Sequence, residues 1–351
     1  MSLPLFRPQD RGGCLPIAYF HAMARLGIEG IVIVEPDDVF VSVGYFDDTE
    51  AVIDVERCER LGIPILRREI GGGPVLLGPG QVFYNIVLKR DDSRVPRSVL
   101  QAYEEFSKPI VATYSTLGVE TIFKPVNDLV VNESRKKISG QGAADIADTF
   151  CFVGAILREF DASLMAQVIK VPDEKFRDKL QKTLEDNVTS IGSELGYVPA
   201  NKLVEDCLID ELSKYFGELE QRPLPSEVEE LAREIVEELQ SENALYAPRT
   251  RRYDVLRIRE GVSFRAGLHK AVGGLIRSQV VVEDEKVREV ILTGDFTCLP
   301  KDRLADLESA LYGVSFTKES VAAAVQEFIA EAKIEIPGVS ANDLAQAIVG
   351  G

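Results

Sequence analysis

The chain has 351 residues, of which 45% are hydrophobic and 28% charged, and 57 acidic against 40 basic residues give a net charge of −17. This is the composition of a globular protein of about two domains, and its acidic excess argues against a general DNA or RNA binder. No apolar run approaches the roughly 18 residues of a membrane span, and charges interrupt any signal-peptide core at the N-terminus.

The first 160 residues predict an irregular alternation of helices and strands. Helical periodicity covers 14–26, 49–61 and 97–107. Strands are predicted at 31–35, 39–45, 63–68, 82–89 and 150–158, with a hairpin over 128–139. An interleaved pattern without a regular βαβ repeat favours an α+β fold with a mixed or antiparallel sheet and flanking helices.

The rest of the chain predicts an acidic helical stretch followed by a small α+β unit. Residues 173–243 are mostly helical, and Ser226 with Glu229 predicts a capping box at the start of one helix. Beyond residue 250, short strands are predicted first, then a hairpin around Asp284, and finally two helices. The segments are 252–258 and 262–268, then 273–283 and 285–293, then 301–311 and 317–331.

Cysteine and histidine are sparse. The five cysteines are scattered and form no CxxC pair, which favours reduced thiols in the cytoplasm over a disulfide framework or a zinc site. Only His21 and His269 are present, which excludes a histidine-rich metal site. We interpret both as structural.

The segment with the most chemical information is the glycine-rich loop 67–81. Gly71, Gly72 and Gly73 allow close approach of the backbone to a ligand, and backbone N–H groups in such a loop can line an anion site. Arg67 and Arg68 supply positive charge, but neighbours on a strand point to opposite faces, so one of the two is expected to enter a pocket. The loop matches neither a Walker motif nor a GxGxxG fingerprint.

A second polar segment follows at 127–142. Asn127 and Asp128 precede a strand, where they are either a turn or a phosphate-proximal pair in which Asp128 holds Mg²⁺. Lys137 comes before an apolar residue and a Ser-Gly turn. Its amine is therefore either solvated or directed inward, where it suits a carboxylate or a phosphoryl oxygen.

In order and spacing, these segments resemble the lipoate–protein ligase A family over nearly the whole chain. The matching segments are Arg67-Arg68-Glu69-Ile70-Gly71-Gly72-Gly73-Pro74-Val75, Asn127-Asp128-Leu129, Lys137-Ile138-Ser139-Gly140, Gly154-Ala155-Ile156-Leu157, Pro172-Asp173-Glu174-Lys175, Val188-Thr189-Ser190, Gly267-Leu268 and Gly294-Asp295-Phe296. The resemblance implies a catalytic domain at 1–250 and an accessory domain at 254–351.

The family implies a two-step reaction in which ATP and lipoate give lipoyl-AMP, and the lipoyl group then passes to a lysine of a carrier domain. Lys137 is implied as the catalytic cation and Asp128 as the ligand of Mg²⁺. The implied ATP and lipoyl-AMP site consists of Arg67, Arg68, Gly71, Gly72, Gly73, Pro74, Val75, Asn127, Asp128, Ser139 and Gly140. The implied acyl pocket consists of Leu76, Leu77 and Gly154, although the leucines of this segment equally suit a core.

The implied partner is a lipoyl-carrier protein, such as a 2-oxoacid dehydrogenase subunit or a glycine-cleavage carrier. The chain is expected to act as a monomer, without nucleic-acid or membrane partners, and the resemblance implies a small domain that swings between the two steps. Leu77 and Phe152-Val153 stand where many family members have histidines. One alternative is an ATP-independent octanoyl or lipoyl transferase, for which Cys151 is the nearest candidate nucleophile. Another is a non-catalytic carrier-binding protein, and a biotin ligase is disfavoured because its arginine-glycine loop is absent.

Overall fold

The computed structural model describes residues 2–246 and 262–350. Its strands are β1 Leu3–Phe6, β2 Gly30–Val34, β3 Phe40–Val43, β4 Ile65–Arg67, β5 Val75–Leu77, β6 Gln81–Lys89, β7 Thr121–Lys124, β8 Asp128–Val131, β9 Lys137–Ile146, β10 Thr149–Leu157, β11 Leu219–Arg222, β12 Val262–Ala271, β13 Gly274–Glu283 and β14 Lys286–Gly294. Its helices are α1 Leu15–Leu26, α2 Thr49–Val52, α3 Val55–Leu61, α4 Val99–Thr116, α5 Ala162–Val168, α6 Glu174–Asn187, α7 Ile191–Leu195, α8 Asn201–Phe216, α9 Ser226–Gln240, α10 Glu242–Tyr246, α11 Arg303–Ala310, α12 Lys318–Ala332 and α13 Ala341–Val349.

The large sheet has eight strands in the order β11-β1-β2-β6-β10-β9-β8-β7. Strand β1 is parallel to both its neighbours, and the other pairs are antiparallel. The predicted mixed sheet with flanking helices is therefore confirmed. Alternation along the strands sends one set of apolar side chains toward α4 and α8 and the other set toward α1 and α9, which gives the sheet a core on each face.

A small sheet in the order β4-β3-β5 carries the glycine-rich loop between β4 and β5. Its own core contains Val41, Val43 and Leu76, and it packs against α5 through Val168. This sheet therefore fixes both ends of the loop.

The C-terminal domain is an antiparallel sheet in the order β12-β13-β14, covered by α11 to α13. The predicted hairpin is confirmed, and Asp284 and Glu285 at its turn have positive φ, as a two-residue type I′ turn requires. The predicted strand 252–258 and the predicted boundary between residues 250 and 254 lie outside the described residues. The domain limits therefore stay predictions.

Several local predictions were wrong in detail. The predicted helix 49–61 is two helices, because Asp54 accepts a hydrogen bond from Arg57 N and caps a new helix. Glu229 and Ser226 form no capping box, since Pro225 is the N-cap residue and no side chain caps α9. Helix α4 continues past Pro109 to Thr116, well beyond the predicted end at 107.

The two domains interlock through the turn after β3. Phe46 is 1% exposed and belongs to the core of the C-terminal domain, where its ring stacks on Phe296 with centroids 5.2 Å apart. Its carbonyl accepts a hydrogen bond from Gly294 N at 2.9 Å. Over the described ranges, no helix combines the length and the apolar composition needed to cross a membrane.

Candidate active site

Around the Lys137 amine, the α1 side of the large sheet is only partly covered. We call this surface the cleft and define its floor by Gly140 and Gly142 on β9 and by Val153 and Ala155 on β10. Ile70 from the glycine-rich loop lies at its edge, where a Cβ at Gly142 would be 2.8 Å from Ile70 Cγ2. Strand β10 is central in the sheet, yet Val153 and Ala155 are only half-buried. Central-strand residues stay accessible when no element covers them. The small residues of the floor therefore leave space for a ligand.

Lys137 is the cation of this cleft. It begins β9, its side chain is 43% exposed, and Nζ lies 2.6 Å from Asp128 Oδ1 on the neighbouring strand. The backbone around it is held from the other side, because Thr189 N donates to the Lys137 carbonyl at 2.8 Å. The amine is thus positioned by a carboxylate but remains in contact with solvent.

Gly140 makes room for that amine. A Cβ at Gly140 would lie 3.0 Å from Lys137 Nζ and 3.1 Å from its Cε, so the lysine chain runs back across the glycine. The Lys-x-x-Gly spacing therefore places the amine over the floor of the cleft, as expected if the lysine is directed inward.

Asn127 and Ser139 connect neighbouring strands of the large sheet. Asn127 Nδ2 donates to the Gln141 carbonyl at 2.6 Å, which ties the start of β8 to β9. Ser139 is fully buried on the α4 side, where its Oγ donates to the Ala155 carbonyl at 2.8 Å. The Ser139 hydroxyl is thus used on the α4 side, and the Asn127 amide nitrogen is used by β9.

Arg67 is a buried structural residue. It is 5% exposed, and hydrogen bonds to the protein use all of its guanidinium N–H groups, which leaves none for a ligand. The acceptors are the carbonyls of Gly44, Tyr45, Asp47, Ala244 and Leu245 and the hydroxyl of Thr49. The predicted ligand role of Arg67 is not supported by this placement.

Arg68 holds the glycine-rich loop in shape. Its Nη2 donates to the carbonyls of Gly71 and Gly73, both at 2.8 Å, and Nη1 donates to the Ser42 carbonyl at 3.0 Å. Burial lowers the pKa of Arg68 to about 10, so the side chain remains charged at neutral pH. Its cation lies under the loop and contributes positive potential to it.

The loop packs directly against the C-terminal domain. Gly72 N donates to the Phe296 carbonyl at 3.1 Å, and a Cβ at Gly71 would lie 2.9 Å from Thr297 Cα. Part of the reason for consecutive glycines is therefore contact between the domains. In this arrangement the Gly72 N–H is already used by the protein.

A cluster that the sequence did not reveal joins this loop to both α1 and the C-terminal domain. Glu69 Oε1 lies 2.5 Å from Lys301 Nζ, and Glu69 N donates to His21 Nε2 at 3.1 Å. His21 Nδ1 lies 2.8 Å from the Ile17 carbonyl, which makes the neutral Nδ1–H tautomer the consistent one. Burial lowers the pKa of His21 to about 4, and its structural interpretation agrees with these contacts.

The residues of the predicted acyl pocket separate. Leu76 points away from the cleft into the core of the small sheet, and Gly154 lies on the α4 side, where a Cβ would overlap the Tyr84 hydroxyl. Leu77 is half-buried against the cluster that includes Val153 and Ala155. Of the three, only Leu77 is placed near the cleft. At the rim of the loop, Val75 is exposed and Pro74 is half-buried.

None of the cysteines has the environment of a reactive thiol. Cys151 lies on the cleft face but is fully buried, and burial raises its pKa to about 12. Cys14, Cys58 and Cys298 are buried as well, and Cys207 is half-buried with a raised pKa. Within the part of the chain that the structure describes, no three His, Cys, Asp or Glu side chains group into a metal site.

Comparison with known families gives a direct assignment. The family model for the "Lipoyl protein ligase A/B catalytic domain" matches residues 19–213, which is more than half of the chain. The chain belongs to this family. A second family model, "Bacterial lipoate protein ligase C-terminus", matches residues 268–348 and so covers the C-terminal domain.

Relatives in the family include both ligases and transferases. Lipoate-protein ligase A subunit 1 of Thermoplasma acidophilum is 27% identical over 188 residues, covering 50% of this chain and 70% of the relative. Octanoyltransferase LipM of Kyrpidia tusciae is 24% identical over 225 residues, which cover 57% of this chain and 80% of the relative. A solved structure of a bi-partite lipoate protein ligase and its E2 lipoyl domain from T. acidophilum aligns at a TM-score of 0.62 and 25% identity, covering 73% of this chain and all of that one.

Proposed function

We propose that the protein is an ATP-dependent lipoate–protein ligase that forms lipoyl-AMP and transfers the lipoyl group to a lysine of a carrier domain. The observation that carries the proposal is the Lys137 amine, held by Asp128 above the glycine floor of the cleft. A fixed cation at that point suits a reaction between two anions, whereas no thiol has access to the cleft.

In the first step, a carboxylate oxygen of lipoate attacks the α-phosphorus of ATP, and the bond from that phosphorus to the bridging oxygen of pyrophosphate breaks. Two anions approach each other, so positive charge is needed where negative charge develops. Lys137 supplies it directly. Arg68 supplies it from beneath the loop.

The proposed Mg²⁺ fits one residue of the site. This ion prefers one or two carboxylates together with phosphate oxygens. The Asp128 side chain is 28% exposed, and its Oδ1 forms the ion pair with Lys137. Its second carboxylate oxygen can therefore face a nucleotide-bound ion. When bound, Mg²⁺ would neutralise phosphate charge.

In the second step, the amine of the carrier lysine attacks the acyl carbonyl, AMP leaves, and the nitrogen loses a proton as the amide forms. The lipoyl domain that accompanies the T. acidophilum ligase supports a carrier of that kind. We further propose that the C-terminal domain moves between the steps, because its Phe296 carbonyl occupies the Gly72 N–H.

An ATP-independent octanoyl or lipoyl transferase is the second candidate, since relatives such as LipM of K. tusciae are named octanoyltransferases. It requires a nucleophile at the cleft, and Cys151 would first have to be uncovered and deprotonated. A non-catalytic carrier-binding protein is the third candidate, and the positioned Lys137 speaks against it.

The test is lipoate-dependent exchange of pyrophosphate into ATP by the purified protein. The wild type is expected to catalyse exchange only when lipoate is present, and Lys137→Ala is expected to reduce the rate about a hundredfold or more. Lys136→Ala is the matched control, because this neighbouring amine donates to the Glu185 carbonyl at 2.8 Å and leaves the cleft untouched.

Absence of exchange, together with acyl transfer from an octanoylated carrier, would replace the ligase by the transferase. Cys151→Ser would then be the decisive variant. Absence of both reactions would leave the carrier-binding protein.

A further inference from the structure

Asn85 is a buried polar residue among apolar neighbours, and neither step of the proposed reaction involves it. It lies in the middle of β6, is 3% exposed, and its neighbours on the same face are Phe83 and Val87, both core residues. Its Nδ2 is buried and has no hydrogen-bond partner among residues 2–246 and 262–350. An unsatisfied buried donor costs about 1–3 kcal/mol.

Strand register places Asn85 beside the floor of the cleft. Gly142 pairs with Val153, and Val153 pairs with Asn85, so the three form one row across β9, β10 and β6. The half-buried Val153 is the accessible member of this row next to Asn85. Asn85 therefore lies at the inner end of the cleft and on the same face as the Lys137 amine.

The separation between the two ends suits an acyl chain. The Lys137 amine lies over Gly140, two residues along β9 from Gly142. With strands ~4.8 Å apart and a rise of ~3.3 Å per residue, Gly140 and Asn85 are about 12 Å apart. A chain whose carboxylate lies at Lys137 thus brings its distal end toward Asn85.

Resting on the proposed function, we propose that the Asn85 carboxamide contacts the distal end of the acyl chain and makes the cleft selective for lipoyl over octanoyl groups. The two chains have the same length, and they differ at the distal end, where lipoate carries a cyclic disulfide. Sulfur is a weak hydrogen-bond acceptor, whereas a methyl or methylene group accepts nothing. Octanoate would leave the amide unpaired, and a site with an unpaired polar group rejects such an analogue.

The test measures the dissociation constants of lipoate and octanoate by titration calorimetry on the full-length protein. The wild type is expected to bind lipoate more tightly. Asn85→Leu keeps the branched shape without the donor and is expected to shift the ratio of the two constants toward octanoate by about three- to tenfold. Asn85→Thr retains a donor on a side chain suited to a strand and is expected to keep lipoate as the tighter ligand.

Thr121→Val is the matched control. Thr121 is also a buried strand residue whose Oγ1 has no partner among the described residues, but it lies on β7, away from the cleft. Both Thr121→Val and Asn85→Leu are expected to raise the unfolding temperature of the free protein, and only Asn85→Leu is expected to change the ratio.

An unchanged ratio in Asn85→Leu, with both acids still bound, would overturn this inference and leave the proposed function standing. The same holds if the wild type binds octanoate as tightly as lipoate. If neither acid binds, the proposed function fails together with the inference.

Discussion

At the scale of single residues, two neighbours with the same chemistry take different positions. Arg67 is the last residue of β4 and Arg68 follows it, and both are buried. From the sequence, one of the two arginines is expected to enter a pocket. The sequence does not show that distant carbonyls, such as that of Leu245, surround the first of them. Roles of this kind depend on tertiary contacts, which no local pattern encodes.

Gly140 and Gly154 give a pair of variants with opposite expected outcomes. Gly140→Ala places a methyl group 3.0 Å from Lys137 Nζ, and a flexible chain end can move away. The unfolding temperature should therefore hardly change, while pyrophosphate exchange should fall about tenfold or more because the amine is displaced.

Gly154→Ala instead pushes a methyl group into the fully buried Tyr84 ring, which has no space to move. We expect destabilisation of about 1–3 kcal/mol, measured by chemical denaturation. Equal stability losses in the two variants would contradict this separation of roles.

At the scale of elements, periodicity predicts most of the long strands and helices but misses elements whose partners are remote. Strand β11 is short and polar, and it exists because β1 pairs with it in parallel. Strand β7 is likewise defined by pairing with β8. Helix α4 passes Pro109, whose carbonyl still accepts a hydrogen bond from Thr113 Oγ1 at 2.8 Å, and the buried face of the helix continues to Tyr114.

Arg67, at the end of β4, is expected to hold the turn before α2 and helix α10 in place. Arg67→Ala removes the arginine donors to a set of buried carbonyls, of which those of Gly44 and Leu245 keep a second donor, from Asp47 N and Thr49 Oγ1. Unpaired buried groups cost about 1–3 kcal/mol each. We expect a loss of about 3 kcal/mol or more in the free energy of unfolding.

Arg60→Ala is the control for this variant, because the Arg60 side chain is 64% exposed and its ion pair with Glu56 is long, at 3.9 Å. Such a surface pair contributes about 0–1 kcal/mol. A loss in Arg67→Ala no larger than in Arg60→Ala would show that the carbonyls find other donors.

At the scale of the whole molecule, the sequence predicts two units but not the way they join. The motif Gly294-Asp295-Phe296 and the glycine-rich loop are separate matches to the family in the sequence, and the structure brings them into contact. Phe46 and Asp47, which complete the interface, follow a short strand and carry no pattern that distinguishes them. Contacts between segments so far apart in sequence arise only from the assembled fold.

The interface is expected to make stability depend on pH through Asp47. Its side chain is fully buried, with Arg277 Nη1 3.4 Å from Oδ1, and burial raises its pKa from 3.8 to about 7. The folded protein then binds more protons than the unfolded chain between about pH 4 and 7, so this group lowers stability as pH rises through that window. Asp47→Asn should therefore raise the unfolding temperature more at pH 8 than at pH 5.

The control is Asp178→Asn, an exposed carboxylate on α6 with the same change in charge. Its effect on the unfolding temperature should be small and equal at the two pH values. If the gain from Asp47→Asn is equal at pH 5 and pH 8, the Asp47 carboxyl does not titrate in this range.

The Phe46 ring comes from the turn after β3 but belongs to the core of the C-terminal domain. The catalytic domain thus fills a pocket in that core with one of its own side chains. A C-terminal fragment made alone lacks this ring and is expected to expose an apolar pocket beside Phe296, and apolar cavities in proteins bind benzene. A small aromatic compound should stabilise that fragment and should compete with its reassociation to the catalytic fragment. The contact between the domains is in this sense a ligand-binding site whose natural ligand is a side chain of the same protein.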